Sequence, residues 1–201
     1  MPRQPDAQLE TRILDAAYQL WTRHGEKALT MRAVARTAGT STPTVYQRFR
    51  DKRDMLELLR TRAQQNLFAA LKPARTLADF CPRYFDFAVR HPHEYELIHV
   101  DWAVRFARDE PRPSFELLKQ RLADRLGGSP DQYVRMALAL AALVHGTAIL
   151  LLTKGIEKHV ARELRATSTA AFEALVEDAS HHRFRTKHAT HRKPAHSRIL
   201  K

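Results

Sequence analysis

An all-α fold in two parts is what this sequence predicts, and three observations carry the prediction. Apolar residues recur three and four positions apart in one window after another, the spacing that lines a single face of a helix. The stretch Leu29 to Leu56 reads as two short helices, a tight turn between them and the start of a third helix. From Ala137 to Leu152, Ala, Leu and Val occupy nearly every face, which a helix tolerates when other helices surround it.

Taken in order, a short arm with Pro2, Arg3 and Pro5, expected to be disordered, leads into a first helix over Ala7 to His24. Its apolar face is Leu9, Ile13, Ala16, Ala17, Leu20 and Trp21, and Gly25 stops it. Thr30 caps the second helix, Val34, Ala35 and Ala38 turn inward, and Gly39 supplies the left-handed residue that ends it. Ser41 or Thr42 caps the third, with Pro43 preset for its first turn and Val45 and Phe49 as packing residues. Thr44, Tyr46, Gln47 and Arg48 are left facing outward. Asp51 caps the fourth helix, whose buried stripe is Met55, Leu56, Leu59, Ala63, Leu67 and Leu71 before Pro73. Twenty residues at 1.5 Å each reach roughly 30 Å, enough to leave one bundle and enter another.

Arg75 to His91 predicts an aromatic helix in which Pro82 imposes a late start or a kink. A further helix follows Pro92 and carries Tyr95, Leu97, Ile98, Trp102, Val104 and Phe106 on through one stretch. Pro111 and Pro113 mark a loop, Ser114 caps a helix to Leu126, and Gly127 and Gly128 close it. Pro130 opens the most apolar helix. The last, about Val160 to Ala179, offers Leu164, Phe172, Leu175 and Val176. The expected division is 1–54 as a three-helix bundle, 55–180 as a second helical domain, and 181–201 as a basic tail.

Composition narrows the class. With 201 residues there is ample core. A single cysteine, Cys81, excludes a disulfide scaffold and a cysteine-based zinc site, and the opening MPRQPDAQLE lacks the apolar stretch of a signal peptide; a cytoplasmic protein is expected. The longest apolar run, Met136 to Leu152, interrupted by His145, Gly146 and Thr147, is short of the roughly 20 residues that span a bilayer, so no membrane partner is expected. The net charge of +12 points to a polyanion, and the cations are at the ends. Residues 1–60 hold 11 Lys/Arg against 7 Asp/Glu, residues 181–201 hold 7 Lys/Arg and no acid, and the middle is nearly neutral.

A short helix, a three-to-four-residue turn containing Gly and a second short helix make the motif whose second helix enters the major groove of DNA. The order T-x-x-x-x-A-x-x-A-G from Thr30, then P-T-V-Y-x-x-F from Pro43, then D-K-R-x-x-L from Asp51 resembles the signature of the tetracycline-repressor (TetR) family. Thr40 stands where that family usually has an apolar residue, and Arg48 where it often has His. AVRHPHEYELI at residues 88–98 and LVHG at 143–146 are similar to C-terminal segments of such regulators, although Ala141 replaces the Trp often found one turn before that HG.

The resemblance implies a homodimer bound to a double-stranded DNA operator. It places Thr30, Tyr46, Arg48 and Lys52 at phosphates and Arg32, Thr42, Pro43, Thr44 and Gln47 at bases, with Ser41 in the same DNA-binding set. The chemistry fits: Gln grips adenine, Arg grips guanine, and a Thr methyl touches thymine. It also implies that the last two helices pair with their copies in a four-helix bundle. The middle domain reads as a small-molecule receptor because aromatics at helical spacing alternate with polar groups that could orient an effector. The candidates are Phe80, Tyr84, Phe87, His99, Trp102, Phe106, His145 and Thr147. No G-x-S-x-G, G-x-G-x-x-G, phosphate loop or H-E-x-x-H is present, so neither an enzyme nor a cofactor is expected.

The expected function is a ligand-responsive repressor released from a palindromic operator by a small apolar or amphipathic effector. Two alternatives stand beside it: a regulator without an organic ligand, either constitutive or a metal or redox sensor (Cys81, His91, His93 and Glu94 permit a metal-sensor idea), and a general DNA-coating protein. The tail, with five His and no acid, reads as a solvated segment before an auxiliary DNA contact or a metal site.

Overall fold

The computed structural model describes residues 7–100, 102–108 and 110–182; the N-terminal arm and nearly all of the basic tail lie outside these residues. The described residues form ten α-helices: α1 (Ala7–His24), α2 (Met31–Thr37), α3 (Thr42–Arg48), α4 (Lys52–Leu71), α5 (Phe80–Arg90), α6 (Pro92–His99), α7 (Trp102–Ala107), α8 (Pro113–Leu126), α9 (Val134–Leu151) and α10 (Lys158–His182). Short 3₁₀ turns at Glu26–Ala28 and Pro130–Tyr133 precede α2 and α9.

The first core gathers Ile13, Ala17, Trp21, Leu29, Val34, Val45, Phe49, Met55 and Leu59, together with Leu97 from α6. The second runs from Ala63 through the aromatic face of α5 to Phe172 and Val176 of α10. Along α4 the two clusters part between Leu59 and Ala63. Gly25 has φ +69°, and a Cβ there would meet the His93 ring at 3.0 Å. Only glycine fits both demands, and the fit seats α6 against the end of α1.

Several expectations are corrected. The stretch after Pro92, expected as one helix, is two: Val100 leaves helical geometry at φ −57°, ψ 128°, and Val104 beyond it is half-exposed. α8 has no side-chain cap; Ser114 lies inside the helix, and its Oγ is buried without a hydrogen-bond partner. α5 makes the late start that Pro82 imposes, after a turn in which the Thr76 hydroxyl accepts from the Asp79 N–H and the Asp79 carboxylate accepts from the Thr76 N–H. Those bonds to the charged form hold the Asp79 carboxyl below the usual range.

Pro130–Leu151 forms 22 helical residues, long and apolar enough by length and composition to cross a membrane. The expectation that this run is too short therefore fails on length; the helix is nonetheless packed among α5, α8 and α10. Its enclosure is partial, since Ile149 and Leu150 are half-exposed. On α10, Phe172 is fully buried in the chain's own core while Leu175 is 46% exposed, so the stripe expected to pair as a unit divides between two roles.

Candidate DNA-reading face and effector cavity

The DNA-reading face is assembled by caps. The Thr30 hydroxyl accepts from the Ala33 N–H at 3.1 Å and starts α2. Ser41, rather than Thr42, caps α3 by accepting from the Thr44 N–H at 3.3 Å. Its Oγ also meets the Thr44 hydroxyl at 2.7 Å, which fixes the Thr44 rotamer and sets its methyl apart from its hydroxyl. Val45 and Phe49 are buried, and this pins the opposite face of α3 outward. Tyr46, Gln47, Arg32, Ser41, Thr30 and Pro43 are exposed, while Thr42, Thr44, Arg48 and Lys52 are half-exposed. All ten expected residues belong to the α2–α3 unit and the first residue of α4. Lys52 is engaged: its Nζ donates to the carbonyl and the carboxylate of Glu26, both at 3.2 Å.

The cavity has a volume of 380 Å³ and opens among α4, α5, α6, α7, α8 and α9, within the size range of small-molecule sites. Of the eight residues expected there, Phe80, Tyr84, His99, Trp102 and His145 line it. Three do not. Phe87 is buried against His91, with ring centres 5.1 Å apart; Phe106 stacks behind Trp102 at 5.1 Å and edge-on to Phe115 at 5.8 Å; and the Thr147 hydroxyl donates to the Leu143 carbonyl and meets Ser168 Oγ, both at 3.0 Å. The lining residues that periodicity missed include Gln64 on α4 and Arg112, Ser114 and Phe115 at the start of α8. Pro111 and Pro113 gave that segment the look of a plain loop, and no single-helix pattern marks a wall built from six helices.

Four rings at one end of the cavity form a closed hydrogen-bond chain. His99 Nδ1 is 2.7 Å from the Tyr95 carbonyl, an acceptor only, so Nδ1 carries hydrogen and donates. Nε2 of a neutral His99 then accepts from the Tyr84 hydroxyl at 2.9 Å. Tyr84 oxygen accepts from the Tyr95 hydroxyl at 3.2 Å, and Tyr95 oxygen accepts from His145 Nδ1–H at 2.6 Å. With both imidazoles neutral, this is the one assignment that puts a proton in every contact. The imidazole rings also stack, 4.4 Å between centres.

Neutrality has a physical cause. Burial lowers His99 to about 4, overriding the Tyr95 carbonyl, and His145 beside it lowers it further. Burial lowers His145 as well and raises Tyr84. Since folded His99 binds its proton less readily than the unfolded side chain, stability is full above the unfolded value of 6.5 and is lost as pH falls toward 4. The expected loss from this residue is roughly 3 kcal/mol between those limits. Urea titrations at pH 7 and pH 4.5 should show it, and His99→Gln should flatten that slope; an unchanged slope in the variant would assign the acid sensitivity elsewhere.

α6 joins the cavity to the first bundle. Tyr95, Ile98 and His99 face the cavity side, Leu97 enters the first core, and the His93 carbonyl accepts from Trp21 Nε1 at 2.8 Å. Asn66 Nδ2 of α4 donates both its hydrogens, to Tyr18 oxygen of α1 at 2.6 Å and to Glu94 Oε2 of α6 at 2.9 Å. Burial and the Glu94 carboxylate raise the Tyr18 hydroxyl well above its ordinary value. Among the described residues no group of three His, Cys, Asp or Glu is placed to hold a metal. Cys81 is fully buried, and burial, with Glu173 nearby, raises its thiol to about 12, which leaves almost no reactive thiolate.

A capped helix-turn-helix with an exposed second helix, joined through one long helix to an all-α domain, defines a DNA-binding transcriptional regulator. Residues 13–59 match the family described as "Bacterial regulatory proteins, tetR family", and residues 77–179 match the "Tetracyclin repressor-like, C-terminal domain". The chain belongs to the TetR family. It is 30% identical over 128 residues to the HTH-type transcriptional repressor KstR2 of Mycolicibacterium smegmatis, a match covering 60% of each chain; the chain thus spans about 60% of the length of that curated relative. Its fold is similar to that of a tetR-family transcriptional regulator from Streptomyces coelicolor (TM-score 0.65, 20% identity, 88% of this chain and 84% of that one). It is also similar to a TetR protein of Acinetobacter baumannii AYE in complex with minocycline (TM-score 0.60, 16% identity, 87% and 97%).

Proposed function

We propose that the protein is a ligand-responsive repressor that binds a palindromic operator as a homodimer and is released by a small apolar or amphipathic effector held in the cavity. One observation carries the reading. α4 begins at Lys52, beside the recognition helix, and the same 20-residue helix supplies Gln64, Leu67 and Leu71 to the cavity wall. A ligand that favours one tilt of this helix favours one spacing of the recognition helices, and release is the resulting population shift. The minocycline held by the A. baumannii protein of the same fold supports a cavity that takes a drug-sized ligand. Repression by the M. smegmatis relative supports the direction of control.

The dimer reading rests on a face of small and apolar residues. α9 exposes Ala139, Ala142, Gly146, Ile149 and Leu150, and α10 exposes Ala166, Ala170, Ala174 and Leu175. A Cβ built at Gly146 meets nothing within 4 Å. Side chains this small let helices of a second copy approach closely and complete the surround that α9 lacks within one chain.

The reading of bases and phosphates is tested by two substitutions. Gln47→Ala is expected to relax base preference at one operator position, at a cost of about 1–3 kcal/mol. Lys52→Ala is expected to weaken all sequences alike and to lower the salt slope by about 1. Binding to a randomised operator library at several salt concentrations measures both; equal loss of specificity in the two variants would remove the assignment. Footprinting of genomic fragments, with and without effector, tests the function as a whole.

A further inference from the structure

The ring chain at the end of the cavity has four contacts and four hydrogens to fill them. With both imidazoles neutral, His99, Tyr84, Tyr95 and His145 each supply one hydrogen. The contacts of His99 with the Tyr95 carbonyl, Tyr84 with His99, Tyr95 with Tyr84 and His145 with Tyr95 each consume one. Both His99 nitrogens and both phenolic hydrogens are thereby spent inside the chain. His145 Nε2 is the ring nitrogen left over. It keeps a lone pair, has no hydrogen-bond partner among the described residues, retains accessible surface, and belongs to a side chain of the cavity wall.

Reversing the polarity of that nitrogen is costly. For Nε2 to donate, His145 would move its hydrogen from Nδ1, and three hydrogens would remain for the same four contacts. If Tyr95 turned its hydroxyl to Nδ1, the Tyr84 and Tyr95 oxygens would face each other at 3.2 Å with nothing between them, since His99 holds the Tyr84 hydrogen. Tyr95 is fully buried and Tyr84 nearly so, so water does not fill the gap, and a buried contact without its hydrogen is unfavourable. The chain thus fixes Nε2 as an acceptor. A hydroxyl completes it, whereas a carbonyl in the same place sets lone pair against lone pair. The rest of a ligand in this cavity meets Leu67, Leu71, Phe80, Ile98 and Leu118.

We propose that the effector is an apolar molecule bearing a hydroxyl that donates to His145 Nε2, and that Tyr95 is the positioning residue which makes the site choose an alcohol over the ketone of the same skeleton. Tyr95 is buried behind the wall, and its influence passes through the His145 tautomer. Apolar burial supplies most of the affinity and is shared by alcohol and ketone; the tautomer acts on the difference between them. This inference rests on the effector-cavity reading above and adds the ligand's class.

The test uses the full-length protein in calorimetric titrations with 2-decanol and 2-decanone. The parent should bind the alcohol about tenfold more tightly, the equivalent of one hydrogen bond. Tyr95→Phe keeps the ring and removes the hydroxyl, so either His145 nitrogen can carry the hydrogen. Ketone affinity should then rise until the two compounds agree within about twofold, a gain that a loosened fold does not produce. His145→Phe should bring them together in the opposite way, by weakening the alcohol while the ketone still binds. Equal affinities in the parent, or a preference for the alcohol that survives either substitution, overturns the assignment. Release of labelled operator DNA separates this inference from the reading beneath it. If the alcohol binds with the expected preference and releases no DNA, the selectivity stands and the ligand-responsive reading falls. If both compounds release DNA with equal midpoints, the ligand-responsive reading stands and the hydroxyl assignment falls; if neither binds, both fall.

Discussion

Ile149→Glu is expected to yield a folded monomer whose operator affinity is lower by two orders of magnitude or more. The position is half-exposed in the single chain, so a carboxylate there leaves the chain's own core intact. In the proposed dimer it would be buried against a second copy without a partner, which several kcal/mol of desolvation opposes. Two half-sites about 34–36 Å apart must be engaged together, and losing the second contact forfeits a gain on the order of 10²–10⁴. Light scattering and fluorescence anisotropy with a labelled operator measure the two effects. Leu175→Glu should act in the same direction. Phe172 would not serve, because it is buried within the chain and its replacement would destabilise the fold itself. An intact dimer with either exposed position charged would reject this face as the interface.

The second large effect is expected at Asn66. Its amide bonds to both α1 and α6 from α4, and Glu94 is only 3% exposed. Asn66→Ala takes one donor from the buried Glu94 carboxylate, which keeps His91 at 3.2 Å, and one from the half-buried Tyr18 oxygen. The cost of losing the two bonds is about 1–2 kcal/mol, readable as a shift in the urea midpoint at constant m. Because the amide ties α1 and α4 to the helix that carries Tyr95 and His99, the variant should also need more effector for half-release than its ligand affinity predicts. A urea midpoint within error of the parent, together with an unchanged release curve, would reduce Asn66 to an ordinary polar residue.

The helix-turn-helix was legible because its evidence is local. Thr30, Ser41 and Asp51 each cap a helix through a bond three residues away, and Gly39 ends α2 with φ +64°; such signals lie within one turn of the chain. The aromatic candidates were legible only in part. Tyr84, His99 and His145 reach the cavity, but Phe87 and Thr147 share the same spacing and turn to the core. Helical periodicity tells which side of a helix is inward, and two adjacent inward residues can face different neighbours. The Arg112–Ser114 part of the wall was illegible for another reason. Its place in the cavity comes from residues 40 to 50 positions away on α4, and nothing within the segment itself signals them. The Tyr18–Asn66–Glu94 contact is of the same kind, since each of its members reads alone as an exposed polar residue of an amphipathic helix.

The sequence has two tryptophans, and the fold separates their duties. Trp102 lines the cavity, whereas Trp21 is buried where α1 meets α6, its indole N–H held by the His93 carbonyl. The protein therefore carries two built-in optical probes, one at the cavity and one where α1 meets α6. In a stopped-flow mixing experiment, Trp102→Phe leaves only the joint visible, while the parent reports both. If occupancy comes first and rearrangement second, the parent shows an early quench absent from the variant, followed by a slower phase common to both. If the released form exists beforehand and the effector merely traps it, the two traces share a single phase. The order of events in the proposed induction would thus be read from the timing of two indole signals, without a label attached to the chain.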